Sequence, residues 1–385
     1  SAPKCRKVHC PCIEGRVTFN PASPLNEVQQ TSGHPPRKFR FPIPHVIAAL
    51  CIGGAAVGWV FSRLGIPLPW MLGPLLLTAV LAVTHGSLKV PVALRWSGQM
   101  TIASVVALNL SPVALIALVE NGVPMLASAL GVIILSGGLA IALARGSNVN
   151  LATALFATLP GGPVEMAGLA QRHQGQPSLV AFAQTLRIGA IVLLVPPLLI
   201  VLGTPFKDVT AVAVGFDPVG LALLAGLALG GAAALYSLRS ANAFFIGPLI
   251  TVGCASALGF QLSPIPGPII ALGQIFLGTS LGAMFDRALI KSSRSFLRIS
   301  IAVSGLLVAF GFVLAGIFWN ILDQPFAMLA LANAPGSVAE MAITAEGMSL
   351  NVAIVTGYHL VRIFIIVPFA ESIFHVVQRA SKLVR

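Results

Sequence analysis

Pro160-Gly161-Gly162-Pro163-Val164-Glu165-Met166 returns later in the chain as Pro335-Gly336-Ser337-Val338-Ala339-Glu340-Met341. Each copy interrupts an apolar stretch, and each is followed by an arginine inside the next apolar stretch, Arg187 and Arg362. Glu165 and Glu340 are 175 residues apart, and so are Arg187 and Arg362. Gly98-Gln99 and Gly273-Gln274 keep the same interval, and Gly73-Pro74-Leu75 and Gly247-Pro248-Leu249 keep it to within one residue. Helix breakers, an acid and a base in apolar surroundings, repeated in register, point to an internal duplication and a two-fold device inside a membrane.

The composition supports that setting. Of 385 residues, 56% are hydrophobic and only 9% charged, with a mean hydropathy of +0.93. So few charges cannot cover a water-soluble domain. Long apolar stretches recur from Ile43 to Val377, which predicts a polytopic α-helical membrane protein. The alternation of an outer-membrane barrel is absent. The net charge of +12 reads as cytoplasmic loop bias, and no soluble basic domain suggests a nucleic-acid partner. Residues 1–41 are polar and rich in Pro and Arg; they read as a disordered tail or an artefact of start-site assignment. Cys5, His9, Cys10 and Cys12 lie there without the spacing of a standard zinc site, so no metal is expected. Cys51 and Cys254 read as small core residues.

The count of crossings decides the architecture. If each broken segment crosses the membrane, each repeat has six spans and the two run parallel. The loop with Arg287, Lys291, Arg294 and Arg298 then falls outside, against the charge rule. If each broken segment dips in and returns, each repeat has five crossings and the second is inverted. Lys89, Arg95, Arg145, Arg172, Arg239, the four-charge loop and Arg379, Lys382 and Arg385 then lie inside. Glu120, Asp208, Asp323 and Glu346 lie outside, and only Arg63 and Lys207 are misplaced cations. The expected fold is therefore an all-α membrane protein of two inverted repeats, each with about five transmembrane helices and one re-entrant broken helix. Repeat 1 spans 42–206, a connector 207–218, repeat 2 219–379, and a basic tail 380–385, with both termini cytoplasmic.

The hairpin tips are the first candidates for a substrate site. Gly161, Gly162 and Gly336 allow a tight reversal, with Pro160 and Pro335 before it, and Pro163 suits the first position of the returning half-helix. Such a helix start offers free N–H groups to an anion. Ser337 to Glu340 is written as a capping box, and Glu165 holds the equivalent third position; either acid could instead handle a proton or cation. Arg187 and Arg362 keep their charge and must pair with Glu165 or Glu340 or clamp an anionic substrate. Gln99 and Gln274 suit interhelical bonding or contact with substrate. His359 is placed three residues before Arg362, where the first repeat has Gln184.

The Gly-Pro-Leu segments, the Pro-Gly-x-x-x-Glu-Met phrases and the duplicated layout resemble the AbrB family of bacterial inner-membrane proteins, built from two AbrB duplication domains. The resemblance covers about residues 45–378 and implies an inner-membrane location. The family also looks like a relative of transporters with five-plus-five inverted repeats, which implies a homodimer by analogy. Its labels include ammonia monooxygenase and regulator of another gene's expression. A copper oxygenase needs clustered histidines, whereas His9, His34, His45, His85, His173, His359 and His375 are scattered. The expected function is secondary transport of a small anionic or zwitterionic solute without an organic cofactor, coupled to H⁺ or Na⁺. A solute sensor regulating gene expression is the alternative, and the oxygenase is the least supported.

Overall fold

The computed structural model describes residues 43–86, 88–110, 112–207, 217–238, 240, 242–260 and 262–383. The expectations for the N-terminal tail and its cysteines, and for Asp208, Arg239 and Arg385, lie outside them. The described residues are all-helical, with sixteen helices. The first eight are α1 (Ile43–Arg63), α2 (Pro69–His85), α3 (Val92–Leu108), α4 (Pro112–Glu120), α5 (Gly122–Ser147), α6 (Leu151–Thr158), α7 (Pro163–Arg172) and α8 (Pro177–Val201). The second eight are α9 (Pro218–Ser237), α10 (Ala243–Ala257), α11 (Gly267–Gly282), α12 (Arg287–Ser292), α13 (Arg294–Trp319), α14 (Phe326–Asn333), α15 (Val338–Gly347) and α16 (Val352–Leu383).

Six of these helices are long and apolar enough to cross a bilayer: α1, α5, α8, α9, α13 and α16. Another four, α2, α3, α10 and α11, are apolar but only 15–17 residues long. At 1.5 Å per residue they reach roughly 22–25 Å, somewhat less than a hydrocarbon core of about 30 Å. The short helices α4 and α12 were not anticipated from the sequence. They hold so few residues that hydropathy alone merges them with the loops beside them.

The helices sort into two groups by their packing. One bundle interleaves α1, α2 and α3 with α9, α10 and α11, in which α2 lies on α11 and α10 on α3. Backbone proximity makes these crossings: a methyl group on Gly98 would stand 2.7 Å from the Gly273 carbonyl oxygen, so α3 and α11 touch main chain to main chain. The Gly-Pro-Leu landmarks do similar work. A side chain on Gly73 would meet the Gly58 nitrogen at 2.4 Å, and one on Gly247 the Gly231 carbonyl at 2.5 Å. In an apolar solvent such small-residue contacts hold helices together by close van der Waals packing.

The other group comprises α5 to α8 and α13 to α16. Here two apolar clusters meet. One contains α6 and α7, the ends of α5 and α13 nearest them, residues 179–183 of α8 and 366–377 of α16. The other contains α14 and α15, residues 188–199 of α8 and 352–358 of α16, and runs on into the core of the interleaved bundle through α2, α3, α9, α10 and α11. The change-over falls between Ala183 and Ile188 on α8 and between Tyr358 and Ile366 on α16. Arg187 lies in the first gap and Arg362 in the second.

The crossing of α3 and α11 yields a stability prediction. Gly98→Val should lower the melting temperature of the detergent-solubilised protein by several degrees, since overpacking of this kind costs about 1–3 kcal/mol. Gly138→Ala, where nothing lies within 4 Å of the added carbon, should change it by about a degree or less, because isolated exposed sites are worth within about 0.5 kcal/mol.

Candidate functional site

Two helical hairpins form the centre of the second group. Hairpin 1 is α6 and α7 with a tip at Pro160–Gly162, and hairpin 2 is α14 and α15 with a tip at Pro335–Ser337. Helix α6 starts at Asn150, whose side chain accepts from the Thr153 N–H at 2.9 Å. The chain doubles back so that its two ends meet: the Asn150 amide donates to the Gln174 carbonyl, and the Gln176 N–H donates to Thr153 Oγ1 at 2.8 Å. With eight and ten residues, the arms reach roughly 12 and 15 Å. The mouth of hairpin 1 is thus held at the N-terminal end of α8. The mouth of hairpin 2 touches the chain leaving the other end of α8, where the Lys207 N–H donates to the Gly347 carbonyl at 2.7 Å.

A helix that stops inside an apolar interior leaves its last carbonyls without partners. Both arginines answer that need. Arg187 donates through Nη1 to the carbonyls of Thr158 at 2.9 Å and Ala157 at 3.4 Å, and through Nη2 to Gln184 Oε1. Gln184 in turn donates through Nε2 to the carbonyls of Phe156 and Leu159, each at 2.7 Å. In hairpin 2, Arg362 donates to the carbonyls of Ala334 and Gly336, both at 3.1 Å. Its Nη2 also bonds His359 Nδ1 at 2.7 Å, while His359 Nε2 reaches the Leu331 carbonyl at 3.0 Å. A guanidinium offers only donors and a carbonyl only accepts, so His359 carries its proton on Nε2 and is neutral. Gln184 and His359 therefore play one part, donor to a half-helix end and acceptor for the arginine. A positive side chain at a helix C-terminus is also favoured by the helix dipole.

These bonds replace the expected ion pairs with Glu165 or Glu340: Arg187 and Arg362, 2% and 3% exposed, bond to main-chain carbonyls. Their Nε atoms, both buried, have no partner. The capping box also takes another form. Ser337 makes no side-chain bond to a helix N–H; its hydroxyl instead bonds the Glu340 carboxyl. Glu165 folds back over Gly162, where a side chain at 162 would lie 1.7 Å from the carboxylate and would push it aside. The methionine that closes each phrase tucks under its own tip: a side chain on Gly161 would meet Met166 Cε at 2.6 Å, and one on Gly336 Met341 Cγ at 3.1 Å.

Further polar groups join this layer. Asn333 accepts a bond from Ser128 of α5, and Thr158 donates to the Ser136 carbonyl of the same helix at 3.1 Å. Tip 2 also lies on α8, where a side chain on Gly336 would come within 3.2 Å of Ile191. Gln99 is bonded elsewhere, to Asn242 at the start of α10 at 3.1 Å, and acts as interhelical glue. Gln274 is buried in α11 with Oε1 unpartnered. The sequence reading names Gln184 and the two methionines without giving them a role, and passes over Thr158 and Asn333. The 175-residue interval pairs Gln184 with His359 and Thr158 with Asn333, but the residue types differ and only the bonds reveal the shared role. Among the described residues no three His, Cys, Asp or Glu side chains gather as a metal site.

Six helices suited to crossing a bilayer and a buried polar layer between them define a multi-pass α-helical membrane protein. Within that class, the chain belongs to the family described as transition state regulatory protein AbrB, whose model matches residues 70–378. It is similar to the protein of Escherichia coli (strain K12) named "Putative regulator AbrB", 25% identical over 334 residues, covering 84% of this chain and 94% of that one. It is also similar to "Uncharacterized protein YhjN" of Bacillus subtilis (strain 168), 26% identical over 355 residues, covering 83% and 91%. The family resemblance drawn from the phrase motifs is thereby confirmed.

The shared role of Gln184 and His359 is testable. His359→Gln should melt within a few degrees of the wild type, because an amide makes the same two bonds. His359→Leu leaves a carbonyl and a guanidinium N–H bare and should destabilise by about 2–4 kcal/mol, read as a clear fall in melting temperature.

Proposed function

We propose that the protein is a secondary transporter that moves a small anionic or zwitterionic solute by alternating access. The observation that carries this reading is the pair of hairpins whose mouths are held at opposite ends of α8. That helix is 25 residues long, roughly 37 Å, so the two hairpins enter from opposite faces of the bilayer. Helix starts at 92, 112, 151, 163 and 177 recur at 267, 287, 326, 338 and 352, the interval that the sequence motifs keep. Together these support two inverted repeats with ten crossings, α4 and α12 lying between crossings, and one re-entrant hairpin in each repeat. Broken helices meeting near the midplane of inverted repeats are the usual site of solute and ion binding in such transporters. The distribution of Lys and Arg along the sequence supports a cytoplasmic position for both termini.

The solute class follows from charge. Two arginines of fixed charge occupy the layer between the tips, neither bonded to a carboxylate, and each keeps a buried Nε without a partner. An anion arriving between the tips would meet those donors and the first-turn N–H groups of α7 and α15, which lack intrahelical partners. Pro160, Gly161, Gly162 and Glu165 form one side of this site and Pro335, Gly336, Ser337 and Glu340 the other. The interleaved bundle of α1–α3 and α9–α11 supplies the static frame. The name of the Escherichia coli relative favours a second reading, a membrane sensor that binds the solute and controls expression without moving it.

Two experiments test the proposal. On a cysteine-free background, cysteines at Gln174 and Ser349, the exposed ends of the two hairpins, should be labelled from opposite sides of the membrane; labelling from one side refutes the inversion. In a thermal-shift screen of carboxylates, amino acids and inorganic anions, the ligand should stabilise the wild type. It should fail to stabilise Arg187→Gln and Arg362→Gln, provided these still fold. The same anion should accumulate in proteoliposomes; binding without accumulation would establish the sensor.

A further inference from the structure

The two phrase glutamates end in different surroundings. Glu165 is half-buried and lies against the backbone of its own tip. Glu340 is 3% exposed, and its Oε2 is buried without any hydrogen-bond partner. The Ser337 hydroxyl acts on the carboxyl, and the residues beside it along α15, Ala339, Met341, Ala342 and Ile343, are all buried.

The charged and titratable groups on the helices packed around α15 do not neutralise it by contact. On α16, Arg362 is committed to the carbonyls of Ala334 and Gly336, and His359 to Leu331 and Arg362. On α8, Arg187 is committed to α6. Arg95 of α3 acts on Glu340 only through space. Helix α14 carries no titratable side chain, and Glu346, further along α15, is bonded to Asn109 at 2.9 Å. An ionised carboxylate in that position would lack the paired and fully bonded environment that buried charges need. The uncharged acid is the form the geometry accommodates.

Resting on the transporter reading above, we propose that Glu340 is the proton-carrying group of the protein. In this conformation it holds the proton as the neutral acid. When tip 2 shifts and water reaches it, the O–H bond breaks, the proton passes to water, and the carboxylate is left to water and to the field of Arg95. That charge cannot return uncompensated to the buried position. Loss of the proton therefore holds tip 2 open, and regaining it restores the closed tip. Glu165, by contrast, lies against Gly162 and is only half-buried. The device is asymmetric: one hairpin carries the coupling proton, and the other serves as its structural counterpart.

The test needs no solute, because the probe is the proton. Infrared spectroscopy of the purified protein in lipid should show the carbonyl stretch of a protonated carboxyl at neutral pH, shifted in D₂O. The band should persist in Glu165→Gln and vanish in Glu340→Gln. If Glu340→Gln does not fold, Glu340→Asp should move the band instead. Raising the pH should remove it in the wild type. Over the same interval, amide exchange at residues 334–338, corrected for its intrinsic pH dependence, should quicken several-fold in the wild type and stay flat in Glu340→Gln. A band unaffected by either substitution, or no band at neutral pH, overturns the proposal. A carboxylate band that responds to Na⁺ overturns it in favour of a bound cation. Either failure leaves the opposed labelling and anion accumulation untouched, so the coupling assignment and the transporter reading fall separately.

Discussion

A helix that ends in the middle of an apolar interior must find donors for its last carbonyls. The structure rests on how that need is met. Neither water nor neighbouring backbone is available at that depth, and each orphaned carbonyl costs on the order of 1–3 kcal/mol. Arg187 with Gln184, and Arg362 with His359, donate to the half-helix ends of α6 and α14. Without those donors the two short helices would end in the apolar interior with their last carbonyls bare. The same bonds keep two fixed positive charges in an apolar setting, because the carbonyl ends supply the compensating negative potential.

This polar layer also divides the hydrophobic interior. The two apolar clusters change over on α8 and α16 within one to two turns of the arginines, so the two hairpins are seated in different clusters, and that of hairpin 2 is continuous with the core of the interleaved bundle. The interleaved bundle is of a different kind. Its helices approach through glycine, as at Gly98 on Gly273 and Gly73 on Gly58, and main-chain contact of that sort leaves little room to slide. The architecture thus pairs a bundle packed backbone to backbone with two hairpins joined through a hydrogen-bonded seam, the arrangement on which the proposed transport rests.

The halves share geometry more than chemistry. Amide and imidazole perform the same double bonding at positions 184 and 359, threonine and asparagine both tie a half-helix to α5, and the two glutamates part company altogether. The backbone requirement is the same in each half, so it holds residues to a bonding capacity, one donor and one acceptor, and leaves the type free. Departures from symmetry, such as the fully buried Glu340, are then the places where the halves acquire separate tasks.

Much of the architecture was legible in the residues themselves. Long apolar runs can only be helices in a bilayer, because backbone groups there must be satisfied within the segment. Pro and Gly at 160–163 and 335–336 break helices wherever they occur, so the two interruptions and their 175-residue interval followed from the chain alone, as did the family that the phrases mark. What the chain could not disclose was the partner of each buried charge. An arginine in the apolar stretch after each glutamate suggested ion pairs. The fold instead presents bare carbonyl ends to the guanidiniums, turns Glu165 onto Gly162 and leaves Glu340 buried with one oxygen unpartnered. Every residue carries a carbonyl, so no residue type marks the ones left without donors; only the place where a helix stops in three dimensions does that.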